Sequence, residues 1–246
     1  MVINIFCDAS IDIDARIACG GCIIVMQNDD GSINPMYHRL CLQTDATNNS
    51  SEILAIYTGI KEAIQLKSTY PNSVFRLFSD SKISLYGLRD WIKNWIKNSQ
   101  LRGTDVLISS SGQPVANQQY FIKIFNVIVD HNLCIEFYHQ RGHVGQSGGV
   151  SMERARAQFI KANKTSPELM GININFLCHY NNLVDSLTRD AVRAYVDYGK
   201  IIENAYFEAF CPIDYNIKPD MLPVYVSCIN KTSVPSRHDF KGGYNQ

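Results

Sequence analysis

The sequence predicts an α/β fold: a mixed five-stranded sheet, three antiparallel strands and then parallel ones, with helices on both faces. Two observations carry this. Up to about residue 43 the chain reads as short β-rich runs separated by turn signals, the pattern of an antiparallel meander. From Ser50 onward, apolar residues recur at helical spacing and alternate with short apolar runs, as helices laid on a sheet do. The 246 residues are 46% hydrophobic, enough to bury a sizeable core.

The elements follow in order. Residues 2–7 (VINIFC) alternate and are rich in β-formers; Ile3, Ile5 and Cys7 share one face, Asn4, Phe6 and Asp8 the other. Gly20-Gly21 is a turn signal, and 22–26 reads as the second strand. Asp29-Asp30-Gly31 is a hairpin signal before a third strand over 36–43. A helix is expected from Ser50 to about Lys67, with Asn49 and Glu52 as a capping box. Residues 74–79 (VFRLFS) form the fourth strand. A helix then runs from Lys82 to Asn98 with Leu85, Leu88, Trp91, Ile92 and Trp95 on one stripe. Residues 103–116 read as a loop, 117–131 as a helix and 133–140 as the fifth strand. Gly-rich 142–149 precedes a helix near 151–163, an irregular stretch to about 180 and a helix over 182–208. The tail from Pro212 carries one short apolar run, PVYVSCI.

Composition excludes some classes. Lys+Arg and Asp+Glu are both 23, so the net charge is zero. That argues mildly against a nucleic-acid binder, although binding needs a basic face and not a basic total. No apolar run is long enough to span a membrane, and MVINIFCDAS lacks a signal-peptide pattern, so a cytoplasmic protein is expected. The eight cysteines are scattered. Cys19-x-x-Cys22 has no second pair and no histidines at finger spacing, so it reads as buried thiols and not as zinc ligands.

The chemistry points to carboxylates. Asp8 ends the first strand, Glu52 lies in the first turn of the first helix, Asp80 ends the fourth strand and Asp185 opens the late helix. Strand ends and helix starts converge over one edge of an α/β sheet. Hard divalent cations take such oxygen ligands, and two ions there can activate water against a phosphodiester. Each acid taken alone also has a plain structural reading, as a turn residue, a capping acid or a favourable charge at a helix N-terminus.

Five local words change the weighing. FCDAS (6–10), TNNSSEILAIYTGIKEAI (47–64), FSDSKISLYGLRDWIKNW (78–95), GHVG (142–145) and NNLVDSLTRDA (181–191) resemble, in order, the motif blocks of type 1 ribonuclease H over about residues 1–192. The resemblance implies an endonuclease that cuts the RNA strand of RNA–DNA hybrids with two Mg²⁺ ions, for which Mn²⁺ can substitute. It implies that Asp8, Glu52, Asp80 and Asp185 are the metal-binding and catalytic acids. His143 matches the family's mobile-loop histidine, which assists proton transfer or product release. Asn48 matches a contact to the RNA strand near its 2′-hydroxyl. Thr47 and Asn117 look like the pocket for a DNA-strand phosphate. Ser10 stands at the family's Asp-Gly-Ser position and is expected to touch substrate. Trp91 and Trp95 match the helix entering the substrate-binding protrusion, with Lys93 and Lys97 beside them.

Basic residues Arg89, Lys93, Lys97 and Arg102, and a second group of Arg154, Arg156, Lys161 and Lys164, are candidate phosphate contacts; a solvated helix face is the plainer reading of the second group. The chain departs from the family pattern in Ala9, in IDIDARIACGG (11–21) and in a segment of about 146–180 inserted before Asp185. The expected organisation is a catalytic domain over 1–200 and an extension over 201–246, with no hybrid-binding module before the first strand. Two alternatives stay open: a non-catalytic hybrid-binding module, and a nuclease of the same fold acting on another duplex. A protein partner at the insertion or the tail is also open.

Overall fold

A computed structural model describes residues 1–145, 149–208 and 216–229. Three antiparallel strands open the chain: β1 (Val2–Asp12), β2 (Ile17–Gln27) and β3 (Ile33–Thr44). Helix α1 (Asn48–Thr69) crosses to β4 (Val74–Ser79), which lies parallel to β1. Next come α2 (Lys82–Tyr86), a π-helical turn (Gly87–Trp91), α3 (Ile92–Leu101) and α4 (Gln118–Asp130), then β5 (Ile135–His139), parallel to β4. After β5 follow α5 (Met152–Asn163), a 3₁₀ turn (Glu168–Met170), α6 (Ile174–Tyr198), β6 (Ala205–Phe207) and α7 (Leu222–Ile229).

The sheet order is β5-β4-β1-β2-β3-β6. It therefore has six strands and not the expected five, because residues 205–207 pair parallel with Leu40, Cys41 and Leu42 on the outer edge of β3. A three-residue run has too little alternation to be read as a strand by pattern alone. The two faces sort as the alternation of β1 predicts. Ile3, Ile5 and Cys7 join α1 and α4 in one core, and Phe6 joins Phe78, Phe176 and Tyr180 under α6 in the other.

Gly20 and Gly21 are not a turn: they sit inside β2, paired with Ala9 and Asp8. A Cβ on Gly20 would lie 2.6 Å from the Ala55 backbone nitrogen in α1. A Cβ on Gly21, on the other face, would lie 2.7 Å from Thr188 Cγ2 in α6. The pair lets both helices approach the sheet beside Asp8.

The expected helix over 82–98 is broken by the π-helical turn. The extra residue turns Trp91 outward to 39% exposure, while Leu85, Leu88, Ile92 and Trp95 stay buried. Helix α6 starts eight residues earlier than the expected 182, because Asn173 caps it, its Oδ1 accepting from Phe176 N at 2.8 Å. It stops at Gly199, in the left-handed region at φ 61°, well before the expected 208. Asp185 therefore lies in mid-helix and does not open it.

The inserted segment packs on the body. Arg76 donates to Met170 O at 2.9 Å, and Gln27 to Gly171 O at 2.8 Å. Asn163, the last residue of α5, accepts from His139 N at 2.9 Å and donates to His139 O at 2.7 Å. It thus pairs with the edge of β5 as a strand would. The extension is also engaged: Tyr225 of α7 is fully buried, stacks on Phe125 at 4.7 Å and donates to Leu88 O at 2.9 Å. Residues 209–215 and 230–246 of that extension, Cys211 among them, and Gly148 of the glycine-rich loop lie outside the described residues.

Candidate active site

The ladder between β1 and β4 ends at the pair Cys7 and Ser79. Asp8 and Asp80 are the next residues on the two adjacent parallel strands, so their positions at the same sheet edge follow from register. Glu52 arrives from α1. It takes no part in the helix cap, contrary to the expectation of a capping box with Asn49. Thr47 caps instead: its Oγ1 accepts from Ser50 N at 3.2 Å, and Ser50 Oγ accepts from Thr47 N at 2.8 Å. Glu52 is left to reach the other acids, and its Oε2 is buried with no hydrogen-bond partner.

One carboxylate oxygen from each of Asp8, Glu52 and Asp80 lies within 4.8 Å of the others. Asp185 approaches from α6, buried, paired with Arg189 one turn on and close enough to act electrostatically on Asp8 and Asp80. The structure thus brings three predicted acids into one cluster and sets the fourth beside it.

Burial and repulsion raise the proton affinity of this cluster. Asp8 is pushed well above the usual carboxylate range by burial, then by Asp80 and Glu52. Glu52 is pushed up to about 8 by burial and by Asp80. Asp80 is raised by burial, against the favourable charges of His143 and Arg141. Buried acids that repel one another, all with hard oxygen donors and one with an unpartnered oxygen, suit a hard divalent cation.

The loop after β5 closes over this edge. A Cβ on Gly142 would collide with Asp80 Oδ2, so the loop lies directly on the carboxylate. His143 is exposed, at φ 54° in the left-handed region, and its charge acts on Asp80. The loop is tied to α6 by Asn182, which donates to Val144 O at 3.2 Å. Beneath Asp80, His139 Nε2 lies 3.2 Å from the Asp80 carbonyl. Burial lowers the pKa of His139 to about 4, so it is neutral.

The other predicted residues surround the cluster without joining it. Thr47 and Asn48 are exposed at the start of α1. Asn117 stands before α4 at φ 55°, in the left-handed region. The two helix starts are linked through Tyr120 of α4, whose hydroxyl accepts from Gln43 at 2.6 Å and which also interacts with Ser50. Two helix N-termini side by side offer unpaired N–H donors to an anion. Ser10 is half-buried on β1; Trp91 and Lys97 are exposed and Lys93 half-buried on the π turn and α3.

Some predicted phosphate contacts are committed elsewhere. Arg89 binds Asp90, Asn163 Oδ1 and the carbonyls of Phe137 and Ala162. Arg102 donates to Gly112 O, and Arg156 pairs with Glu168 at 2.9 Å. Cys19 and Cys22, three apart on a strand, are buried in different cores, which removes them as a ligand pair. The site residues that sequence reasoning passed over are Arg189, Gly142 and His139. Arg189 was legible as the residue one helical turn after Asp185; the others became visible only through contact with Asp80.

Comparison with known proteins finds one family along most of the chain. The RNase H family model matches residues 1–157, a stretch that contains Asp8, Glu52, Asp80 and His143 and ends before Asp185. A ribonuclease H of Rickettsia akari is 28% identical over 116 residues, 47% of this chain and 66% of that protein, just short of two thirds of its length. One from Rickettsia massiliae is 27% identical over 139 residues, 56% of this chain and 79% of that protein. Among solved structures, LC9-RNase H1, a type 1 RNase H with the type 2 active-site motif, aligns at 16% identity and TM-score 0.44 over 66% of this chain and 72% of its own. Among the described residues, no helix is long and apolar enough to cross a membrane.

Proposed function

This chain belongs to the RNase H family, and from that premise we propose that it hydrolyses the RNA strand of RNA–DNA hybrids at the edge where Asp8, Glu52, Asp80 and Asp185 meet. The observation that carries the reading is the convergence of Asp8, Glu52 and Asp80, from two strands and a helix, on one point. A sheet edge with no charge chemistry to perform would not bury mutually repelling acids.

The four acids would hold two Mg²⁺ ions, replaceable by Mn²⁺; when bound, such ions supply the Lewis acidity that activates water and offsets charge on the leaving oxygen. The chain's own residues do the rest. Water attacks phosphorus and the P–O3′ bond breaks, leaving phosphate on the 5′ end and a hydroxyl on the 3′ end. His143, on the loop over Asp80, delivers the proton that the 3′-oxygen takes up. Arg189 holds Asp185 in place. Asn48 and Ser10 contact the RNA strand, where the 2′-hydroxyl distinguishes it from DNA. Thr47 and Asn117 grip a DNA-strand phosphate at the paired helix starts. Exposed Trp91, with Lys93 and Lys97, takes the DNA backbone further along. The cysteines among the described residues are unbridged, which suits a reducing cytoplasm.

A panel of end-labelled RNA–DNA hybrid, duplex RNA and duplex DNA, each with Mg²⁺ or with EDTA, tests this. The expected result is metal-dependent cleavage of the hybrid's RNA strand alone, with products that accept 3′-end extension. Preference for duplex RNA or duplex DNA would overturn the substrate assignment. Hybrid binding without cleavage would mark a binding module.

A further inference from the structure

The basic residues of the described chain fall into two groups. Arg76, Arg89, Arg156 and Arg189 are tied to acids. Lys82, Arg141 and Lys161 are not: among the described residues, none of the three is in an ion pair. These three line one cavity of about 360 Å³, together with Tyr86, His139 and Gln158. No carboxylate lines it. Three cations facing one cavity repel one another unless an anion sits between them.

The cavity has a fixed place. His139, in its wall, is hydrogen-bonded to the Asp80 carbonyl, so the cavity adjoins the Asp80 backbone at the β5 edge of the sheet. Gln158 and Lys161 are three residues apart and share one face of α5. The end of α5 is clamped to the β5 backbone by Asn163, so that face is held over the cavity. Two of the polar lining residues therefore come from the segment inserted between His143 and Asp185. Lysine ammoniums bind phosphate as point charges, and Gln158 and Tyr86 add neutral donors.

We infer that this cavity binds a backbone phosphate of the strand being cut, next to the scissile one, and that the inserted helix α5 supplies one of its three cations, Lys161, and the amide of Gln158. The inference rests on the proposed hybrid-cleaving function. The shared chemistry is a phosphate group, which a free nucleotide could also present.

The test is steady-state cleavage of an RNA–DNA hybrid in Mg²⁺ over a range of salt, by wild type and by Lys82→Gln/Lys161→Gln. Both lysines are exposed, so the fold should persist, checked by melting temperature. We expect KM to rise about tenfold with kcat nearly unchanged. The salt dependence of kcat/KM should become shallower by roughly 0.7–0.9 in log–log slope per lost contact. A hybrid cut short on the cavity side should erase the difference between the two proteins. Equal KM and equal slope on the full-length hybrid would overturn the inference while leaving hybrid cleavage standing. AMP or inorganic phosphate inhibiting wild type but not the variant, with hybrid KM unmoved, would assign the cavity to a free phosphate compound instead. A wild type that cuts no hybrid would overturn the functional reading itself, and the strand subsite with it.

Discussion

At Glu52, burial and a neighbouring charge act in the same direction, and the consequence can be measured without substrate. The carboxyl titrates near 4.5 in the unfolded chain and at about 8 in the folded one. Between those values the unfolded chain has released its proton and the folded chain has kept it, so raising the pH favours unfolding. Asp8 and Asp80 are raised as well and add to the same trend. The metal-free protein should therefore lose on the order of a few kcal/mol of stability from about pH 5 to pH 8. Asp80→Asn removes the charge that acts on both neighbours, so its profile should be flatter and its melting temperature at pH 8 in EDTA no lower than wild type. A variant that melts lower throughout would mean that the acids do not repel one another. Two of the four acids were legible as Asp after an apolar strand, in FCDAS and FSDS. Glu52 was named as an acid of the same set; only the added expectation that it caps its helix with Asn49 failed, because the cap is closed by Thr47 and Ser50.

Elements carry these residues to one point, and β2 does so through absence of side chain. Gly20 and Gly21 look like a turn in sequence because glycine's commonest local message is a turn. In the fold they mark where α1 and α6 press on the sheet beside Asp8. Gly20→Ala would put a methyl against the backbone of α1, which cannot turn aside as a side chain can. It should destabilise by about 1–3 kcal/mol as overpacking does, and lower cleavage further by lifting Glu52 away from Asp8. Gly21→Ala meets the side chains of Leu40 and Thr188, which can yield, and should cost less. Thermal melts of both variants check the order; equal losses would show that α1 is not held at this contact. The π turn was invisible to a helical reading for a related reason. The residues 82–98 keep a helical stripe on paper, and the buried Gly87, whose Cβ would collide with Phe121, becomes meaningful only once α4 is in place.

For the whole molecule, zero net charge says little about the working face. Among the described residues the charges near the site are segregated: acids at the sheet edge, Lys82, Lys161 and Arg141 beside it, and Arg76, Arg89 and Arg156, each paired with an acid, in contact with the inserted segment. The succession of strands along the chain was legible as far as β5, because each strand had its own alternation or apolar run. Past residue 140, α5 was expected where it stands, but the bounds of α6 were not and β6 and α7 were missed, since these are fixed by contacts to elements far away in sequence. The extension shows this best. Tyr225 fills a pocket against Phe125, so Tyr225→Ala should cost about 3–5 kcal/mol, as loss of a buried aromatic does. Tyr225→Phe should cost only about 1 kcal/mol, the net value of its hydrogen bond to Leu88 O. If Tyr225→Ala were neutral in denaturant unfolding, α7 would not be part of the core.

The most direct measurement for the account is single-turnover cleavage of an RNA–DNA hybrid in Mg²⁺ by wild type and by Asp80→Asn, each confirmed folded by circular dichroism. The account predicts RNA-strand cleavage by wild type and a loss of at least about a hundredfold in the variant, since the change strikes the reacting centre itself. Cleavage by Asp80→Asn at the wild-type rate would place the chemistry away from the Asp8–Glu52–Asp80 cluster and contradict it.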